Sequence, residues 1–270
     1  MDLGTVDDIL VPGSRADLPP GRADTAVLAG GTWLFSERQD HLGTLVDITA
    51  LGWEPLTVTE TGLEIAATCT IEALARYTSP WPATVLFSRC AAALLASFKI
   101  WKTATVGGNI ALALPAGAMI SLTAALDGVG LVWSSEGPEH DYRIAIADLV
   151  TGPHANALRP GDVLRSIEIP LHALEARTAM RKLALSPLGR SAAVVIGRVD
   201  TGGEFVLTVS ASTVRPFVLR FPALPTAREL DDALAETIDP QHWYDDPHGA
   251  PDWRRHISCG AAQQIREELS

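Results

Sequence analysis

Two stretches of the sequence carry residues suited to gripping an anion with the main chain. The first, VLAGGTWL, comprises Val27, Leu28, Ala29, Gly30, Gly31, Thr32, Trp33 and Leu34. It runs an apolar, strand-like segment into a Gly-Gly turn. The second, TATVGGNIALALPAGAMISL at 103–122, sets Thr105, Val106, Gly107, Gly108 and Asn109 in an otherwise apolar run. Glycine has no Cβ and reaches positive φ, so the backbone there can approach a ligand closely and aim successive N–H groups at it. A neighbouring Thr or Asn adds a side-chain donor. Two such loops converging would cradle a pyrophosphate without a lysine. Neither matches GxGxxG or GxxxxGK[ST], which excludes the Rossmann and P-loop readings. Taken alone, a Gly-Gly-Thr is more often a simple turn, so the pair is what informs.

The second stretch is no membrane span. A spanning helix needs about 20 uninterrupted apolar residues, and Gly107, Gly108, Asn109, Pro115 and Gly117 interrupt this one. Gly-Gly-Asn reads as a turn, and Pro115 as a helix breaker. The 270 residues carry a net charge of −11, so long-range attraction does not draw an anionic ligand and local donors must hold it. No basic cluster suggests nucleic acid. Cys69, Cys90 and Cys259 lie far apart without CxxC spacing, which argues against an iron–sulfur cluster, structural zinc or a disulfide framework in this chain. The histidines form no HxxxH pair, and no metal site is expected. The opening MDLGTVDDIL lacks a signal-peptide layout, so a cytoplasmic location is expected.

The elements that must position the two motifs follow from periodicity. Strand patterns fall at 26–29, 45–48, 63–66, 129–133 and 163–169, with helical patterns at 70–77 and 83–98. After Pro170 the pattern changes. Strands at 179–186, 192–199, 205–213 and 217–221 follow one another, with TGGE at 201–204 turning one into the next, which predicts an antiparallel meander. Thr226 and Glu229 form a capping box opening one helix. Trp253, Ile257, Ala261 and Ile265 make an i, i+4 stripe on another. The class is α+β, divided near residues 171–178.

Together these segments resemble the flavin-binding subunit of the molybdenum hydroxylases, the xanthine dehydrogenase and aerobic carbon monoxide dehydrogenase family, along nearly the whole chain. AGGTWL at 29–34 resembles the family's first flavin loop, usually AGGTDL, and LVDIT at 45–49 the strand that follows. TATVGGN at 103–109 resembles the second loop, TIGGN, with a Pro-containing continuation. DVLRSIEIP at 162–170 resembles the strand that ends the flavin domain, and MRKLALS at 180–186 the start of the C-terminal domain. RPFVLRFPALPTARELDDAL and DDPHGAPDWRRHI resemble that domain's later strand and last helix.

The resemblance implies a PCMH-type, two-subdomain FAD-binding domain at 1–172. A small antiparallel-sheet-plus-helices domain of the CO dehydrogenase flavoprotein C-terminal type would follow at 177–270. It implies an oxidoreductase in which FAD receives electrons from a [2Fe–2S] subunit, fed by a molybdopterin subunit, and delivers them to a small-molecule acceptor. Carried onto this sequence, 27–34 and 105–109 line the FAD, Ala118 belongs to the second loop, and Leu164 packs near the cofactor. Lys182 stands by the isoalloxazine as its cation, the one expected catalytic residue. Leu95 falls where some relatives place an aromatic side chain.

Three departures bear on this. Trp33 and Ala118 stand where the family carries Asp, and Trp101-Lys102 replaces Arg-Asn. The glycines persist while polar anchors are lost, and an indole can stack on an aromatic ring instead. Two alternatives therefore stay open: a free-standing FAD-dependent oxidoreductase reusing the fold, and a family member that has lost FAD.

Overall fold

The computed structural model describes residues 3–270. Residues 1 and 2, the start of the expected N-terminal domain, lie outside the described residues.

Three strands, β1 (Asp8–Leu10), β2 (Thr25–Leu28) and β3 (Thr44–Asp47), form a parallel sheet ordered β1-β3-β2. The first glycine motif begins on β2 and runs off its C-terminal end. In open α/β sheets that is where ligands bind.

A second subdomain follows. It comprises β4 (Leu56–Thr59), β5 (Gly62–Ala66), α1 (Ile71–Ala75), α2 (Val85–Ala93), α3 (Phe98–Trp101), α4 (Val106–Ala111) and α5 (Ala118–Ala125). It continues through β6 (Val129–Trp133), β7 (Tyr142–Ala145), α6 (Ile146–Leu149), β8 (Val150–Gly152), β9 (Ala155–Asn156), β10 (Val163–Pro170) and α7 (Leu171–Leu174). Five of its strands form an antiparallel sheet in the order β4-β5-β10-β6-β7, and β8 and β9 pair separately. The register of β10 against β6 slips between Leu164 and Ser166, leaving Arg165 at a bulge. The Arg165 guanidinium lies 4.4 Å from the centroid of the Trp53 ring and 5.8 Å from that of Trp133. Arg15 stacks on Trp133 from the other subdomain and pairs with Asp141 through two hydrogen bonds. These contacts pin the two subdomains together.

The last part is the meander β11 (Arg177–Leu183), β12 (Ala193–Val199), β13 (Phe205–Ser210) and β14 (Phe217–Phe221), followed by α8 (Ala227–Thr237) and α9 (Pro251–Leu269). Gly203, at φ +92, makes the turn between β12 and β13 where only glycine is comfortable. The Thr226–Glu229 capping box is formed at the start of α8. Both faces of this sheet are covered. One set of side chains, Ala179, Val195, Phe205, Leu207 and Val209, packs against α8 and α9. Met180, Val194 and Ile196 instead join the core of the second subdomain, where α5 is buried at every residue. Ser210 on β13 donates to Ser121 on α5 at 2.8 Å.

Three local expectations are corrected. The helix expected over 83–98 ends at Ala93, because Leu95 adopts φ +31 and Ser97 opens a new turn by capping the Ile100 N–H. The Gly-Gly-Asn of the second motif is no turn but part of α4, with Thr105 as its N-cap. On α9 the buried stripe is offset from the expected one. Arg254, Ser258, Ala261, Ala262, Ile265 and Leu269 face inward, while Trp253 and Ile257 are half-buried. A fully buried arginine is tolerable there because its donors are satisfied: Ala192 O and Ala211 O at 2.6 Å, Gly249 O at 2.8 Å, and the Asp246 carboxylate.

Candidate functional site

The chain leaving β2 makes the first wall of the site. Gly31 sits at φ +64, and one turn then forms, with the Phe35 N–H donating to Gly31 O at 2.9 Å. That turn consumes none of the preceding donors. The N–H groups of Gly30, Gly31, Thr32, Trp33 and Leu34 reach no protein acceptor among the described residues. Successive unengaged amides in a turn around a left-handed residue form a nest for an anion.

The second motif behaves differently. Val106 N–H donates to Cys69 O at 2.8 Å, Gly107 N–H to Ala67 O at 2.9 Å and Gly108 N–H to Thr105 Oγ1 at 3.1 Å. Its amides therefore hold the protein together rather than a ligand. Its glycines serve close packing: a Cβ on Gly107 would lie 2.4 Å from that of Ala67. Asn109 Oδ1 accepts the Met119 N–H at 2.9 Å and so caps α5, while its Nδ2 has no acceptor among the described residues. The two motifs meet directly, with the Cα of Gly30 set against the carbonyl of Thr103.

Between them lies a cavity of about 630 Å³. Volumes of roughly 300–1,000 Å³ accept ligands of drug or cofactor size. Of the expected site residues, Val27 through Leu34, Thr105, Gly107, Gly108, Asn109 and Leu164 line it, as does Leu95. Val106 and Ala118 do not: both are buried in the core, Ala118 in the first turn of α5. Lys182 does not line it either, and its Nζ donates to Gly189 O at 3.0 Å. The Trp33 ring contributes to the wall and leans on His154, between β8 and β9, with centroids 5.9 Å apart.

Four polar residues of the wall, Asn156, Asp162, Arg190 and Ser191, escaped the sequence reading. Asp162 is 4% exposed and accepts from Tyr142 Oη at 2.9 Å, Ser135 N–H at 3.0 Å and Arg159 N–H at 3.1 Å. Burial and the bond to Asp162 push the Tyr142 phenol up to about 12, so it stays a donor. Arg190 lines the cavity from the turn between β11 and β12. Asp162 stood in the 162–170 motif only as the opening of a strand, and Arg190 lies in a turn without periodicity. Burial pushes the Cys69 and Cys90 thiols up to about 12 and raises that of Cys259, which disfavours the thiolate at all three.

An apolar chamber with a nest of main-chain donors, entered from the ends of two subdomains, suits a long dinucleotide. Residues 15–172 match the family model described as the FAD binding domain in molybdopterin dehydrogenase. The chain belongs to this family. Its cofactor is FAD, and its class is that of the oxidoreductases. No curated protein matches at a significant level. Solved structures do. A chain of the Cu,Mo-CO dehydrogenase in its cyanide-inactivated form is 24% identical, with TM-score 0.83, covering 100% of this chain and 99% of that one. A chain of the reconstituted CO dehydrogenase from Oligotropha carboxidovorans is 23% identical, with TM-score 0.82 and the same coverage. A chain of quinoline 2-oxidoreductase from Pseudomonas putida 86 is 20% identical, with TM-score 0.76, covering 100% and 98%. At these identities the likeness concerns the fold, which the present chain shares from end to end. Among the described residues no helix is long and apolar enough to cross a membrane.

The residues present fit FAD, because the nest supplies donors for its diphosphate and the chamber supplies apolar walls for its rings. Asn109 separates structure from binding. Asn109→Ala leaves the buried Met119 N–H without an acceptor and should cost about 1–3 kcal/mol in urea unfolding. Asn109→Asp keeps that acceptor but adds a negative charge to the wall. It should preserve stability while weakening FAD by about tenfold, equivalent to ~1.4 kcal/mol, as read by flavin fluorescence titration.

Proposed function

We propose that this protein is the electron-transferring FAD subunit of a molybdenum hydroxylase-type complex. In this reading a partner subunit's [2Fe–2S] clusters deliver electrons drawn from a molybdopterin subunit, and a small-molecule acceptor takes them away. Residues 1–172 form the cofactor-binding unit and 177–270 the unit that closes over it, in a cytoplasmic assembly. FAD, when bound, supplies redox chemistry that accepts electrons singly and releases them singly or in pairs. The chain's own part is to bind, orient and shield. The amides of Gly30 through Leu34 receive the diphosphate, Leu164 and Leu95 pack on the cofactor, and the glycine contact at Thr103 keeps the two walls at a fixed spacing.

The observation that carries this reading is the run of amides without a protein acceptor on the loop that lines the cavity, in a chain of the FAD-binding family. A likeness over the full length to chains of CO dehydrogenase and of quinoline 2-oxidoreductase supports the same assignment. The test has two stages. The purified chain, titrated with FAD, should take up one equivalent with a shifted flavin spectrum. Coexpressed with the products of neighbouring genes, it should copurify with an iron–sulfur protein whose reduction bleaches the flavin. A protein that takes up no FAD defeats the proposal. So does a flavin reduced directly by a small organic substrate in the absence of any partner.

A further inference from the structure

We propose that Arg190 is the cation that faces the bound FAD and stabilises its negative charge on reduction, with Lys182 acting only to hold Arg190 in place. The inference rests on the FAD reading above. Arg190 is the sole Lys or Arg among the residues lining the cavity. Its guanidinium is exposed and has no hydrogen-bond or ion-pair partner among the described residues. Every buried or half-buried arginine among the described residues is engaged: Arg15, Arg181, Arg198, Arg254 and Arg266 with carboxylates, Arg165 with tryptophan rings and Arg215 with the Phe217 ring. A charged side chain left free at the rim of an apolar chamber, in a chain of net charge −11, is a ready complement for an anion.

The turn that carries it is fastened on both sides. Before Arg190, the Gly189 carbonyl accepts from Lys182 Nζ at 3.0 Å, and the Gly189 N–H donates to Ser186 O at 2.9 Å. After it, Ser191, 2% exposed, donates to Ala93 O at 3.2 Å. That bond ties the turn to the end of α2, beside Leu94 and Leu95 of the cavity wall. The position of Arg190 is thus fixed from the C-terminal domain, whereas the diphosphate already has its donors on the loop after β2. When the ring system takes up two electrons and one proton, the cofactor gains one negative charge. A guanidinium facing that charge favours the reduced form, and the excluded water of a filled chamber strengthens its effect.

The experiment uses the full chain loaded with FAD, comparing Arg190→Gln, Arg190→Lys and Lys182→Met. Each is titrated with dithionite in the presence of redox dyes for the midpoint potential. Affinities for FAD and for ADP are measured by fluorescence and calorimetry. Arg190→Gln should lower the midpoint potential and weaken FAD several-fold while leaving ADP affinity and thermal midpoint unchanged. Arg190→Lys should restore most of the potential. Lys182→Met should shift it the same way by less, because the turn loosens but its charge remains. A potential unchanged in Arg190→Gln overturns the proposal, and so does a larger shift in Lys182→Met, which would return the role to Lys182. An equal loss of FAD and ADP affinity at constant potential would place Arg190 on the diphosphate and also overturn it. Wild-type protein that binds no FAD would fail the underlying reading instead, before any variant is compared.

Discussion

Gly30→Ala is expected to deprive the protein of FAD while its C-terminal sheet stays folded. A Cβ at this position would stand 1.9 Å from the Thr103 carbonyl oxygen and 2.8 Å from its carbon, both main-chain atoms. Main chain cannot step aside as the end of a side chain can, so the two glycine motifs must separate. The displaced segment carries the amides that make the nest. Hydrogen bonds to charged groups contribute about 1.5–3 kcal/mol each, so the loss of two weakens FAD by at least about 100-fold. Fluorescence titration reads the loss, and circular dichroism with thermal melting reads the remaining fold. Gly202→Ala is the control, because nothing lies within 4 Å of a Cβ there; it should bind FAD as the wild type does. Retention of wild-type affinity by Gly30→Ala would mean that the contact between the motifs does not set the site.

Arg198→Met should give the largest loss of stability in the molecule. Arg198 on β12 is 1% exposed and joins the C-terminal sheet to the end of α5. Its Nε donates to Asp200 at 2.8 Å, its Nη1 to Ala125 O at 2.6 Å and its Nη2 to the Asp127 carboxylate. Asp127 also receives Arg220 at 2.6 Å and lies 3.2 Å from His172 Nε2. A methionine fills the space but strands buried Asp200 and the Ala125 carbonyl. Breaking a buried pair in this way costs about 3–5 kcal/mol, which a urea midpoint shift at constant slope measures. Lysine should not rescue it, since one ammonium cannot reach three acceptors fixed for a planar fork.

The same cluster predicts an acid limb. Burial alone would raise the Asp127 pKa, yet the hydrogen bonds from Arg220 and Arg198 outweigh it and hold the carboxyl well below the usual range. A folded-state pKa below the unfolded value near about 3.9 means that the stabilisation is complete above that value. It fades as pH falls toward the folded pKa. Asp127→Asn should therefore lower stability at neutral pH and flatten the decline below about pH 5; an unchanged acid limb would contradict the assignment.

Much of this protein was legible from short-range pattern. Short apolar runs bounded by glycine, proline and turn residues located β5, β6, β10 and the meander, because such punctuation is local whatever lies across the sheet. The capping box at Thr226 was equally local. The composition of the glycine motifs pointed to a dinucleotide, and resemblance supplied its name. The errors arose where a long-range partner decided the outcome. Residues 83–98 form a continuous apolar pattern, but the chain turns at Leu95 so that Leu94 and Leu95 face the cavity. On α9 the stripe Trp253, Ile257, Ala261 and Ile265 read as the buried face, whereas the carbonyls of Ala192 just before β12, Ala211 just after β13 and Gly249 in the preceding turn hold Arg254 inward.

The glycine motifs mark the boundary most clearly. Sequence alone determined that both could bring main chain close to another group, because a missing Cβ is a property of the residue itself. It could not determine what that other group is. The fold supplies carbonyls of Cys69 and Ala67 to the second motif and, among the described residues, none to residues 30–34 of the first, so one serves as packing and the other remains open to an anion. In the same way, resemblance placed Lys182 beside the isoalloxazine, whereas in the tertiary structure its Nζ donates to Gly189 O and Arg190 lines the chamber. Whether a donor is free depends on every acceptor within hydrogen-bond distance, and those acceptors come from segments that only folding brings together.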